Sequence, residues 1–154
     1  MKDAYTRPFT FLLIRRTMPI NQFPVRVFWE DTDAGGIVYH ANYLKFMERA
    51  RSDLLCQLNF DQNSERTRED GVLFVVAPLD IAYKKAAVLG DNLTVHTRVE
   101  KIHRASIIFE QNVMRGDELI TTGHVRIGVI SAGNMLPTAI PDELYNKLQT
   151  LSLD

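Results

Sequence analysis

Apolar residues recur at spacings of four, three, four and four through Tyr43, Met47, Ala50, Leu54 and Leu58, the period of a helix that buries one face. Phe46 and Leu55 widen the stripe, and Lys45, Glu48, Arg49, Ser52 and Asp53 fill the other side. No Gly or Pro falls between Ala41 and Leu58, so a helix of roughly 27 Å is expected at 1.5 Å per residue. Elsewhere the period shortens to two. Val25-Arg26-Val27-Phe28-Trp29 alternates and ends in Glu30-Asp31, a strand running into a loop. Residues 61–71 are polar, a loop with some helix. Val72-Leu73-Phe74-Val75-Val76-Ala77 is a continuous apolar run, as expected of a strand covered on both faces. Pro78 marks a bulge or an edge position, and Leu79-Asp80-Ile81-Ala82-Tyr83 resumes the alternation. Leu93, Val95, Thr97 and Val99 then face one side, with Thr94, His96, Arg98 and Glu100 on the other. Ile107, Phe109 and Val113 repeat the pattern after a turn near His103-Arg104. Arg115-Gly116-Asp117-Glu118 is a hairpin signal, and Leu119, Thr121, Val125, Ile127 and Val129 complete the last strand. Pro141-Asp142-Glu143 opens a short tail helix with Leu144, Leu148 and Leu151 on one side.

The order is strand, long helix, then four strands joined mostly by tight turns. Hairpin connections imply a largely antiparallel sheet. One long helix cannot supply the crossovers of a doubly wound fold. Its apolar stripe must be buried on the sheet, which gives an α+β domain with a single sheet wrapped around one central helix. At 154 residues the chain is one domain, long enough for a core without disulfides or metal. The pattern places residues 1–22 in an N-terminal extension outside the core and the domain at residues 23–150. Phe9-Thr10-Phe11-Leu12-Leu13-Ile14 is too short to span a bilayer, and Arg15-Arg16 follows it with no small-residue cleavage site. Met18 stands just before the strand signal, so the extension reads as the product of an upstream start codon. The net charge of −1 offers no general pull toward nucleic acid or anionic membrane. The single cysteine, Cys56, lies in the helical pattern as a packing thiol and forms no internal disulfide, which fits a reducing compartment.

The segment least like a core is Asp31-Thr32-Asp33-Ala34-Gly35-Gly36-Ile37-Val38-Tyr39-His40-Ala41-Asn42-Tyr43. Gly35-Gly36 permits positive φ and a close backbone approach to a ligand. The helix that follows begins with amides lacking helical partners and with partial positive charge, which favours a developing oxyanion. Asp33, just upstream, has the chemistry of a general base for water or of a direct nucleophile. His40, at the helix start, can donate to an oxygen or orient water. The expectation is geometric: the Asp33 carboxylate points into a cavity on which unpaired amides also converge, a site for acyl transfer to water. Gly36 and Tyr39 are expected to touch the substrate. The spacing of the four histidines matches no metal motif, and there is no phosphate-binding glycine loop or RNA-binding aromatic motif.

Residues 30–43, with Phe46-Met47-Glu48-Arg49-Ala50-Arg51, resemble the signature of YbgC-type acyl-CoA thioesterases, in the 4-hydroxybenzoyl-CoA thioesterase branch of hotdog-fold proteins. A weaker likeness runs on through Tyr83, Gly90-Asp91, Arg104 to Ser106 and Pro137, so that it spans about residues 24–148. The resemblance implies the hotdog fold, a helix wrapped by an antiparallel sheet. It implies Asp33 as the catalytic acid and His40 as the position whose backbone N–H polarises the thioester carbonyl. The substrate is then an acyl-CoA, or an acyl group on an acyl carrier protein. No cofactor is needed, because CoA is part of the substrate. Members pair into homodimers with sites at the interface and assemble further into homotetramers. The implied location is cytoplasmic, or peripheral at the inner membrane, since the family is often encoded beside the Tol-Pal envelope system. Lys84-Lys85-Ala86-Ala87 stands where relatives carry an aromatic and a proline.

Each site residue also has a plainer account. Asp31 can share proton chemistry with Asp33 or bind loop amides. Asn42 can satisfy backbone near the helix start, and His40 can serve as an N-terminal cap. Glu48 sits close enough to the motif to support it, or lies on a solvated helix face. Lys84, Lys85, Arg98, Lys101, Arg104 and Arg126 are candidates for the positive rim that meets the CoA phosphates, with Arg104, beside Ser106, the preferred one. Two other functions fit the same motif: a hotdog dehydratase or isomerase of acyl thioesters, and a non-catalytic acyl-CoA-binding module.

Overall fold

The computed structural model describes residues 21–152. Five strands form one sheet: β1 (Asn21–Arg26), β2 (Val72–Tyr83), β3 (Asn92–His103), β4 (Ser106–Arg115) and β5 (Glu118–Ser131). Their spatial order is β1-β3-β4-β5-β2, with every pair antiparallel. The helices are α1 (Asn42–Gln57), α2 (Gln62–Thr67) and α3 (Asp142–Gln149). The α+β architecture is the hotdog arrangement that the resemblance implies, one antiparallel sheet with a long helix packed on it. The sheet begins earlier than expected, because Asn21 and Gln22 pair with Thr97 and His96. Phe28 and Trp29 leave the strand, and Trp29–Asp31 is a turn of 3-10 helix. The extension over residues 1–20 and the Met18 start lie outside the described residues.

α1 buries the stripe its spacing predicts. Tyr43, Phe46, Met47, Ala50, Leu54 and Leu55 are all buried, and Leu58 is half-buried at the end. The sheet offers alternate residues to meet it: Leu93, Val95 and Val99 from β3, Ile107, Phe109 and Val113 from β4, and Val125, Ile127 and Val129 from β5. Burial of each large side chain contributes about 1.5–3 kcal/mol of transfer free energy. Helix and sheet come close at Gly123, where a Cβ would stand 3.2 Å from the Met47 methyl group. α3 closes the far end through Leu144 and Leu148.

β2 is where the single chain departs from expectation. The apolar run from Val72 is not covered on both faces: β2 is an edge strand, and Val75, Val76 and Leu79 are exposed. The strand continues past Pro78 by a register shift between Val76 and Leu79, a bulge that tolerates the missing N–H.

One buried polar connection joins α1 to the sheet. Gln111 is fully buried; its amide nitrogen donates to the Met47 carbonyl and to Thr97 Oγ1, both at 2.9 Å. Its amide oxygen accepts from Arg51 Nη1 at 2.7 Å. Arg51 is buried as well, and its remaining charge is met by Glu48 one turn earlier. Burial lowers the Arg51 pKa from its usual range, and Glu48 opposes that. Such a network stabilises only while each member is satisfied. Gln111→Ala therefore should reduce stability by about 1–3 kcal/mol, read as a lower denaturant midpoint in urea.

The outer face of the sheet carries a row in which Glu110 of β4 and Asp80 of β2 flank His124 of β5. Glu100 accepts from His124 Nδ1 at 2.7 Å. That bond, helped by the charges of Glu100, Asp80 and Glu110, raises the His124 pKa above 6.5 against the opposing effect of burial. A raised folded pKa means the contribution is complete below the unfolded value and is lost as pH rises through the folded one. The stability gap between the native sequence and His124→Gln should accordingly be larger at about pH 5.5 than at about pH 8.5, measured by denaturant unfolding at both.

Candidate active site

The chain between β1 and α1 is held by backbone bonds to the segment after β2. Val27 N–H donates to the Asp91 carbonyl at 2.9 Å and Val38 N–H to that of Ala87 at 2.9 Å. Within the loop, Thr32 and Val38 form an isolated antiparallel bridge, and Tyr39 N–H reaches the Asp31 carbonyl at 2.8 Å. The buried Asp31 carboxylate fixes both ends of the segment. It accepts from Phe28 N–H at 2.8 Å and from Asn42 Nδ2 at 3.5 Å. Asp31 thus binds loop amides, and Asn42 ties the helix start to it.

The bridge leaves residues 33–37 as a tight turn facing solvent. Asp33 N–H donates to the Ile37 carbonyl at 3.1 Å, and the Asp33 carbonyl accepts from Gly36 at 3.0 Å. Gly36 sits at φ +78, which glycine adopts without strain. The Asp33 carboxylate is exposed and accepts from Gly35 N–H at 2.8 Å. In the single chain it therefore faces solvent and lines neither cleft beside the helix, unlike the enclosed arrangement expected from the sequence.

At the helix start, Asn42 N–H donates to the Tyr39 carbonyl at 2.9 Å and Leu44 N–H to that of Ala41 at 3.2 Å. Among the described residues, the amides of His40 and Ala41 have no backbone acceptor. The His40 carbonyl accepts from Tyr83 Oη at 2.9 Å. The His40 side chain is exposed, with the Tyr39 ring 4.5 Å away and the Tyr83 ring 6.4 Å away, centre to centre. It caps nothing; Ala41 occupies the cap position. Tyr43 lies beneath, its hydroxyl accepting from Ala87 N–H at 3.3 Å, and burial pushes its phenol pKa up. A cleft of about 290 Å³ opens here between the helix start and residues 83–86.

A second cleft, of about 490 Å³, flanks α1 and is lined by Leu44, Val76, Leu79 and Val125 together with the charged side chains of Lys45, Glu48, Arg49 and Arg51. Glu48 is exposed and paired to Arg51. Arg104 and Ser106 lie elsewhere. The Asp33 loop follows Arg26, which pairs with Asn92 at the start of β3, whereas Arg104 and Ser106 flank the turn after its end. The length of β3 separates them, about 35 Å at 3.3 Å per residue. The Arg104 carbonyl accepts from Ile140 N–H at 2.9 Å, and the buried Ser106 hydroxyl accepts from Arg126 Nε at 3.2 Å. One chain does not bring this pair to Asp33 and His40. Sequence reasoning placed Tyr83 only in the weak part of the resemblance; nothing in its local pattern announces a bond to the His40 carbonyl.

One long helix packed on a single antiparallel sheet, with an acid-bearing glycine turn just before the helix start, is the arrangement of the hotdog class. The model of the thioesterase-like superfamily matches residues 27–148. Acyl-CoA thioesterase YbgC of Haemophilus influenzae is 47% identical over 122 residues, covering 79% of this chain and 89% of that protein. Acyl-CoA thioester hydrolase YbgC of Escherichia coli O157:H7 is 35% identical over 124 residues, covering 80% and 91%. The crystal structure of a probable thioesterase from Bartonella henselae superposes with a TM-score of 0.76 at 32% identity, covering 80% of this chain and all of that one. The chain belongs to the thioesterase-like superfamily, as a YbgC-type member of its hotdog-fold acyl-CoA thioesterases.

Among the described residues, no group of His, Cys, Asp and Glu could hold a metal ion, and no helix is long and apolar enough to cross a membrane. The clearest structural dependence of the loop is on Asp31. Replacing it by alanine strips the part-buried Phe28 amide and the buried Asn42 side chain of their acceptor, so Asp31→Ala should cost about 1–3 kcal/mol, seen as a lower thermal midpoint by circular dichroism.

Proposed function

We propose that the protein hydrolyses acyl-CoA thioesters to a free carboxylic acid and CoA, with Asp33 as base or nucleophile and the amides of His40 and Ala41 as the oxyanion site. The carrying observation is the pairing of two features: amides without backbone acceptors at the start of α1, and a carboxylate presented on the turn seven residues before His40. As a nucleophile, the Asp33 oxygen bonds to the thioester carbon, the C–S bond breaks, and CoA leaves as the thiolate. Water then opens the mixed anhydride and restores the carboxylate. As a base, Asp33 takes a proton from the attacking water, and collapse of the tetrahedral intermediate expels the thiolate, which is then protonated. In both routes the carbonyl oxygen gains charge where the helix amides favour it.

The reading includes a homodimer. The exposed edge of β2, with Val75, Val76 and Leu79 uncovered, supports it, since a long apolar edge is a template for strand pairing. Antiparallel pairing of two such edges would enclose the solvent-facing Asp33. It would also carry the Arg104 end of the partner toward the helix start, where Arg104 and Ser106 would meet the nucleotide part of CoA. Further assembly to a homotetramer and delivery of acyl groups by an acyl carrier protein belong to the same reading.

Asp33→Asn should fold normally and lose at least about 10²–10³ in turnover. The measurement is thiol release from a panel of acyl-CoAs, with far-UV circular dichroism as the folding control. Turnover close to that of the native sequence would remove Asp33 from the mechanism. Free thiol also separates hydrolysis from dehydration or isomerisation, which leave the thioester intact.

A further inference from the structure

The cleft of about 290 Å³ beside the helix start has an unusual lining for a hydrocarbon chain. Ile37, Val38, Tyr43 and Tyr83 make it largely apolar, yet Lys84, Lys85 and His40 also line it and no carboxylate does. Lys85 is committed elsewhere, its Nζ 2.6 Å from Glu118. Among the described residues, Lys84 Nζ has neither an ion pair nor a hydrogen-bond acceptor, so it is the uncommitted cation of this cleft.

The wall that carries Lys84 is fixed on three sides. Lys84 and Lys85 N–H both donate to the Ile120 carbonyl, at 2.8 and 3.1 Å. Tyr83 Oη donates to the His40 carbonyl at 2.9 Å, which ties the wall to the helix start. Arg115 Nη1 donates to the Ala86 carbonyl at 3.2 Å and to Asp91 at 2.7 Å, while Asp91 also accepts from Val88 N–H at 2.9 Å. The backbone of Lys84 is therefore held opposite His40, although the side chain itself is exposed. An exposed ammonium contributes little by itself. Beside apolar walls that exclude water from a bound ligand, its pull on an anion is larger.

We propose that Lys84 is a specificity-determining residue whose ammonium binds an ionised carboxylate on the acyl group, so that the preferred substrates are short dicarboxylic acyl thioesters. The inference rests on the thioester-hydrolase reading of the same site. It names the acyl group rather than CoA because the reacting carbonyl sits at the helix start, which is the opposite wall of this cleft. The CoA phosphates lie at the far end of the pantetheine arm from that carbonyl. The wider cleft on the other flank also carries cations, Lys45, Arg49 and Arg51, but it holds the Glu48 carboxylate as well, which opposes an acyl carboxylate and already pairs with Arg51; the cleft beside the helix start has no such acid.

The test compares kcat/KM for succinyl-CoA with butyryl-CoA and for glutaryl-CoA with valeryl-CoA, in the native sequence, Lys84→Met and Lys84→Arg. The same acyl groups on pantetheine, without the nucleotide, form a second series. The native sequence should favour the carboxylated member of each pair. Lys84→Met should lower that preference about tenfold or more, mainly through KM, as expected for loss of a charge-assisted contact. Lys84→Arg should keep most of it, and the pattern should persist in the pantetheine series. Hydrolysis of butyryl-CoA without a preference for succinyl-CoA overturns the proposal while leaving the hydrolase reading intact. So does a Lys84→Met defect that is equal for every CoA thioester and absent for pantetheine thioesters, which would assign the ammonium to the CoA phosphates. Absence of thiol release from every thioester would sink the hydrolase reading and this proposal with it.

Discussion

Everything in this domain is arranged by the contact between α1 and one face of the sheet. The helix stripe from Tyr43 to Leu55 and the alternate residues of β3, β4 and β5 form two adjoining core clusters, one at each end of the helix. Gly123 lets Met47 lie close against the strands. Because large apolar side chains fill the interface at the density of a crystal, the helix has little freedom to slide. The buried Arg51–Gln111–Thr97 connection adds a directional constraint that hydrophobic contact lacks. Fixing the helix fixes where its first amides point.

That placement also fixes which segments gather at the start of the helix. The start of α1 meets three segments: the turn after β1, residues 83–91, and the β4–β5 hairpin. Asp31 joins the first to the helix, Tyr83 joins the second to it, and Arg115 joins the third to the second. The result is a hydrogen-bonded frame around amides that have no backbone acceptor among the described residues, with the exposed Asp33 turn as its outer part. Under the proposed hydrolase reading, such a frame would let the helix dipole act on developing charge without reorganising at the moment of reaction.

The edge strand β2 sets the limit of what one copy achieves. Its paired side is satisfied by β5, while its other side leaves Val75, Val76 and Leu79 exposed. The apolar run is what a strand covered on both faces looks like, yet residues of both faces, Val75 on one and Val76 on the other, are exposed in the single chain. The same limit applies to Asp33, which one copy leaves open to solvent.

The sequence by itself determined the elements. A period near 3.6 across residues 43–58 and a period of two from Leu93 onward specify local geometry, because burial of one face is decided by spacing alone. Gly36 and Gly116 mark their turns, both with positive φ, for a reason that is local to each residue. The motif around Asp33 and His40 was legible for the same reason, since acid, glycines and helix start are contiguous. Only the tertiary structure decided what depends on distant pairing. The order β1-β3-β4-β5-β2 puts Arg104 and Ser106 at the end of the sheet away from Asp33, and it makes the apolar run of β2 an edge. It also brings Tyr83 to His40 across 43 positions of chain and Gln111 to Arg51 across 60. No period or local propensity encodes those meetings, because they follow from how a folded sheet closes on its helix.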